Sequence, residues 1–239
     1  MLRYPIPRKE RTGMKFNPDP DVKVLLPDGS QKSLLTYQLP SAILVLAALL
    51  LVVSMFQPYW SITMTAPQYP KGLTVDVYVN HLEGDMGEID GLNHYLGMPP
   101  LDEGGRFERQ ISIPALAMLG LLLIAATFIH NKWAAILTLP ALLWPVIFLA
   151  DLWLILYTYG HSIDPESALG GAIDPFTPPI LGTGKIAQFG TVAELQVGFY
   201  LALAAVAVIL VGLWFHRVAY KPLQDARKRI KAQEQSATS

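Results

Sequence analysis

The chain has 239 residues with a formal net charge of -1; 52% of them are hydrophobic, only 15% are charged, and none is cysteine. A soluble domain is nearer a quarter charged, so the composition points to a membrane protein. The absence of thiols excludes disulfides, thiolate zinc sites, iron–sulfur clusters and covalently attached c-type haem.

Residues 1–40 form a polar arm. It begins with Arg3, Arg8, Lys9, Arg11 and Lys15, suited first to anionic lipid headgroups and second to binding a partner. Within DVKVLLPDGSQKSLL, the Pro27-Asp28-Gly29 turn signal predicts a small hairpin. Residues 41–60, SAILVLAALLLVVSMFQPYW, are the first of four stretches long enough to cross about 30 Å of hydrocarbon as a helix, with Tyr59 and Trp60 as interfacial aromatics. With a long polar arm ahead of it and no small-residue cleavage site, this span acts as an uncleaved signal anchor.

In segment 61–110, Val75, Val77 and Val79 alternate with Thr74, Asp76 and Tyr78, the pattern of a half-buried strand. A short helix or turn follows over 89–98, IDGLNHYLGM, ahead of Pro99-Pro100. The second span is 111–129. The His-Asn-Lys turn at 130–132 leads directly into the third, 133–157, so these two form an antiparallel helical hairpin. Pro140 and Pro145 bracket Leu143-Trp144 and bend the third span. Segment 158–194, punctuated by Gly170-Gly171, Pro175, Pro178-Pro179, Gly182 and Gly184, predicts an irregular cap folded over the first loop. The fourth span is 195–215, and the tail 216–239 contains KPLQDARKRIKAQEQ, a short helix with a basic face.

Lys and Arg set the direction. Seven precede the first span, one is Lys132 and six follow the fourth, fourteen in all, against four (Lys71, Arg106, Arg109, Lys185) in the two remaining loops. That bias puts both termini in the cytoplasm and the loops in the periplasm of a bacterial inner membrane. The expected fold is an all-α membrane protein, with four transmembrane helices and two ordered extracytoplasmic loops, the first containing one short β-strand.

No phosphate loop, dinucleotide glycine fingerprint, HExxH or GxSxG motif is present, and the few outward basic residues exclude nucleic acid as a partner. The metal candidate is His81, Met86, His94 and Met98 in the first loop, because imidazole and thioether suit copper. His94 and Met98 are four apart and share a face if the segment is helical. Asp151 is the one acid well inside a span; it calls for a structural hydrogen bond first and a proton relay second. His130, His161 and His216 flank spans, and no span carries a central histidine to ligate a b-type haem.

Three segments carry a resemblance: Ala66 to Leu73 (APQYPxGL), Gly91 to Met98 (GLNHYxGM) and Asp174 to Gly182 (DPFTPPxxG). They resemble a group of poorly characterised four-span bacterial membrane proteins encoded near nitrous oxide reductase and its copper-delivery genes. The resemblance implies an accessory role beside a periplasmic copper or electron-transfer system. Three functions compete: a non-enzymatic membrane subunit docking to a larger respiratory or photosynthetic electron-transfer complex, a copper-handling accessory protein, and a small transporter or enzyme working through Asp151. In the first, the partners are the bilayer and the complex's other subunits, and no cofactor is required; in the second, the cofactor is copper.

Overall fold

The computed structural model describes residues 23–25, 31–33, 35–168, 170–172, 174–186 and 188–237. The basic start of the arm and the Pro27-Asp28-Gly29 turn lie outside them. The two strands that the turn would join, β1 (Lys23–Leu25) and β2 (Gln31–Ser33), are paired antiparallel, Lys23 opposite Ser33.

Four helices are long and apolar enough to cross a membrane: α1 (Leu35–Ser54), α3 (Arg106–Thr127), α4 (Trp133–His161) and the first part of α5 (Val197–Ala237). In α1 the buried residues Leu44, Ala47, Ala48 and Leu51 recur at spacings of three and four, which places them on one face. That face packs on α5 and α3 in a core with Leu116, Leu123, Ala202, Ala205 and Ile209. Alanines let the backbones approach closely where no water drives helices together. At Gly212 an added Cβ would come within 3.1 Å of both Ile43 and Leu44. Leu46, Leu49 and Val53 face outward, as hydrocarbon contact requires.

The expectation of an all-α chain is corrected by a five-stranded antiparallel sheet. α1 stops at Ser54, so Tyr59 and Trp60 are not the end of the first span. Beyond Pro58, Tyr59 N–H already donates to Val77 O, 2.8 Å away, and β3 (Trp60–Ala66) begins. Tyr59 and Trp60 pass for the interfacial aromatics of a helix end because aromatic residues are equally at home in a buried strand. β3 pairs with β4 (Tyr69–Val77), and β4 with β5 (Leu82–Gly84), so the first loop holds three strands rather than one. A helix, α2 (Met86–Leu96), follows where a short helix or turn is expected over 89–98, starting three residues earlier and ending two residues sooner.

Among its described residues the second loop is irregular up to Leu181, apart from a single 3-10 turn at Gly170–Ala172, but its last part is not. β6 (Gly182–Ile186) and β7 (Phe189–Leu195) form a hairpin, and β7 adds to the free side of β3, from Trp60 opposite Leu195 to Thr65 opposite Gly190. The strand order is β5-β4-β3-β7-β6. The two interhelix segments therefore form one lid by strand pairing, at the end of the bundle opposite the termini. Leu195 belongs to β7, which moves the start of the fourth helix to Val197.

The tail also differs from its expectation, since α5 continues through Pro222 to Ala237 as one helix. At the terminal end of the bundle, His216 Nε2 donates to Ile129 O (2.9 Å), Tyr220 Oη to Tyr37 O (3.1 Å) and Gln224 Nε2 to His130 O (2.6 Å).

Candidate functional site: an apolar chamber under the lid

Alternation along β3 and β4 turns Trp60, Ile62, Leu73 and Val75 to one face of the sheet, where they are buried with Ile89, Leu152, Ile186 and Ala193. This face does not close fully onto the helices. Between it, α2 and the adjoining parts of α3 and α4 lies a cavity of about 320 Å³. Such a volume falls at the lower end of small-molecule pockets. Trp60, Ile62 and Val75 form its roof, Leu92 and Leu96 one wall, and Ala115, Trp144 and Phe148 its depth. Ile111 and Ile147 also line it and are 46% and 50% exposed, so the cavity opens sideways between α3 and α4.

The lid is held at fixed points. Trp60 Nε1 donates to Ile180 O at 2.6 Å, joining the sheet to the strap that precedes β6. Asn93 Nδ2 donates to Tyr159 Oη (2.6 Å), which donates to Pro99 O (2.5 Å), so α2 rests on the last turn of α4. At Gly160 an added Cβ would lie 1.9 Å from Phe176 O, so only glycine lets the strap cross there. Where α1 becomes β3, buried Ser54 Oγ and Tyr59 Oη are 2.7 Å apart, and Trp144 Nε1 donates to Tyr59 Oη at 3.3 Å.

Three charged side chains line the chamber: Glu108, Arg109 and Asp151. Arg109 is tied down, donating to Gly104 O, to Asp102 O (2.6 Å) and to the Asp102 carboxylate (3.1 Å). Asp151 makes no hydrogen bond or ion pair among the described residues, and the charge it feels is the like charge of Glu108. The structural hydrogen bond expected for Asp151 is therefore not made. Asp151 is also less deep than its place in the span suggests. α4 continues to His161, and its last turns sit inside the lid, with Ile155 against Gly104 and Gly105 just ahead of α3. Asp151 lies one turn below that level, at the rim where the two helices meet the sheet.

The four copper candidates are held in separate surroundings. His81 stacks on Tyr78 with ring centroids 4.3 Å apart, its Nδ1 is 2.9 Å from Asn80 Oδ1, and its Nε2 is 3.1 Å from Glu83 Oε1. Met86 opens α2 and packs against the lid core, whereas His94 is exposed in its last turn. Met98 is buried and lines the chamber. α2 ends at Leu96 and Gly97 takes a left-handed conformation (φ 73°), so Met98 leaves the helical face that His94 occupies, contrary to the spacing argument. Of the flanking histidines, His161 donates from Nδ1 to Tyr157 O at 2.8 Å and stacks on the Tyr157 ring.

Sequence reasoning reached Asp151 and Met98 but missed Glu108, Trp60, Trp144 and Tyr159. Glu108 had one usable signal, as an acid at the border of an apolar span. For the others no local signal exists, because each becomes a lining residue only when the sheet, α2 and the ends of α3 and α4 come together.

No protein-family model matches the chain, and no curated protein matches it. Fold and site together define a class: four helices of membrane-spanning dimensions carrying a β-sheet lid over a laterally open apolar chamber.

Proposed function

We propose that the protein is a non-enzymatic integral membrane subunit that docks to a larger electron-transfer complex through its lid, on the periplasmic side. The observation that carries this reading is the open rim of the lid. β6 pairs only with β7 among the described residues, so its other edge offers unpaired backbone groups. Leu181, beside that edge, is 65% exposed and Tyr95 on α2 is 61% exposed, the kind of apolar anchor that interfaces bury. The weak burial of α4, the least buried of the four apolar helices, supplies a flank for a neighbouring subunit. The bias of fourteen basic residues to four supports the orientation, and the resemblance to proteins encoded beside nitrous oxide reductase suggests the kind of complex.

The copper-handling alternative draws less support, since His81 is engaged by its neighbours and Met98 is buried apart from His94. Photocrosslinking in native membranes tests the docking reading. Benzoylphenylalanine at Leu181 or Tyr95 should yield an adduct with a subunit of an electron-transfer complex, whereas the same probe at Leu210 on α5 should not. Adducts at neither lid position, or only with lipid, would refute it.

A further inference from the structure

Docking through the rim leaves the chamber without a task, and the chamber has a definite chemistry. Its roof, wall and depth are hydrocarbon and aromatic, so water gains few hydrogen bonds there. Its mouth, beside Ile111 and Ile147, opens where the two helices would face a bilayer leaflet. At that level stand two carboxylates, Glu108 and Asp151, without hydrogen-bonding or ion-pairing partners among the described residues. The single cation of the lining, Arg109, is paired with Asp102, and three of its five N–H donors are engaged by Gly104 and Asp102. Carboxylates in weakly polar surroundings need donors, and they repel anions.

We propose that the chamber takes the apolar tail of a membrane amphiphile whose head donates hydrogen bonds, as a hydroxyl or a protonated amine, to Glu108 and Asp151. This goes beyond the docking reading and does not depend on it. The tail passes between α3 and α4 and lies under Trp60 and Ile62, while the head stays at the rim. An anionic head is rejected by the same two carboxylates. Depth and charge thus select together: apolar lining for the chain, acceptors for the head.

Two tryptophans line the chamber, Trp60 and Trp144, whereas Trp133, Trp153 and Trp214 are 50–60% exposed on the outer faces of the helices. The test uses the full chain carrying W133F, W153F and W214F, reconstituted in phosphatidylcholine vesicles, so that fluorescence reports the chamber alone. Three probes with brominated chains are compared: phosphatidylethanolamine, a long-chain alcohol and phosphatidic acid. Quenching should need several-fold less of the amine-headed lipid, the alcohol or both than of phosphatidic acid. Which of the first two acts identifies the source of the head. Glu108→Gln with Asp151→Asn should remove the preference, and Ala115→Phe should weaken quenching by all three. Because the head-group comparison is made with both carboxylates present, misfolding of these variants does not blunt it. Equal quenching by the three probes, a preference for phosphatidic acid, or no quenching overturns the proposal. The protein is purified without partners, so neither outcome bears on docking.

Discussion

The two flanks of the bundle solve opposite problems. On one flank α1 lies along α5 with alanines and Gly212 between them, and Tyr59 and Gly198 join this pair to the centre of the sheet. Gly198 N–H donates to Pro58 O (2.8 Å) and Gln196 N–H to Tyr59 O (2.9 Å), so the exit from α1 and the entry to α5 are tied together. On the other flank α3 and α4 meet along part of their length, then part beneath the sheet around the chamber. Small residues close the first flank; Trp144, Phe148 and two carboxylates prop open the second. The close-packed side carries the lid, and the open side is left to hold something else.

The largest expected effect is on the close-packed flank. A Cβ at Gly198 would lie 2.5 Å from Tyr59 Cδ2, 2.6 Å from Gln57 O and 2.8 Å from Pro58 O, two of these being backbone atoms that cannot rotate away. Gly198→Ala should cost about 3 kcal/mol, read as a lower melting temperature of the solubilised protein. A change below about 1 kcal/mol would show that the α1–α5 junction is loose and abolish the contrast.

Tyr59→Phe sharpens the comparison at the same junction. It removes the oxygen that pairs with Ser54 and receives the Trp144 N–H, while Ser54 keeps its bond to Leu51 O at 2.7 Å. A loss of about 1 kcal/mol is expected by chemical denaturation, with the helical circular dichroism unchanged.

A smaller effect concerns the opposite half of the sheet, where Asp76 on β4 faces Glu83 on β5. Burial, and then the Glu83 charge, raise the Asp76 carboxyl above the ordinary carboxylate value. The folded form thus keeps its proton to higher pH than the unfolded chain, and stability falls as pH rises through the raised value. Asp76→Asn should flatten that slope and stabilise the lid at neutral pH by a few tenths of a kcal/mol. Amide exchange in β4 and β5 across that pH range measures it; an unchanged slope would show that the pair is relieved by solvent.

The smallest effect is expected on the open flank. Ala115→Leu adds three carbons into the chamber and should change the melting temperature by no more than the equivalent of about 0.2 kcal/mol. A cost as large as that of Gly198→Ala would mean the chamber is filled by its own walls.

Several of these features were legible residue by residue. A helix or turn over 89–98 could be read from its own segment, overlapping the helix at 86–96, as could the alternation of Thr74 to Val77. The pairing of the two outer segments could not. Strand periodicity tells which face a residue joins but not which strand lies beside it, and GTGKIAQFGT between prolines carries the composition of a loop. Helix length was misjudged at both Trp60 and Leu195 for one reason: the strand residue nearest each helix is itself apolar and so extends the apolar run.

The sequence by itself determined four apolar helices and, through their even number, that both termini share one end of the bundle opposite both long loops. These properties are sums over neighbouring residues, and hydrophobic transfer is additive along a helix. Only the tertiary structure decided that residues 60–65 pair with residues 190–195, more than a hundred positions away. That pairing creates the lid, and the lid turns Asp151, Glu108 and Trp144 from span residues into the lining of one chamber. Strand pairing rests on backbone hydrogen bonds that any sequence can make, so their register becomes readable only when both strands bury the same face.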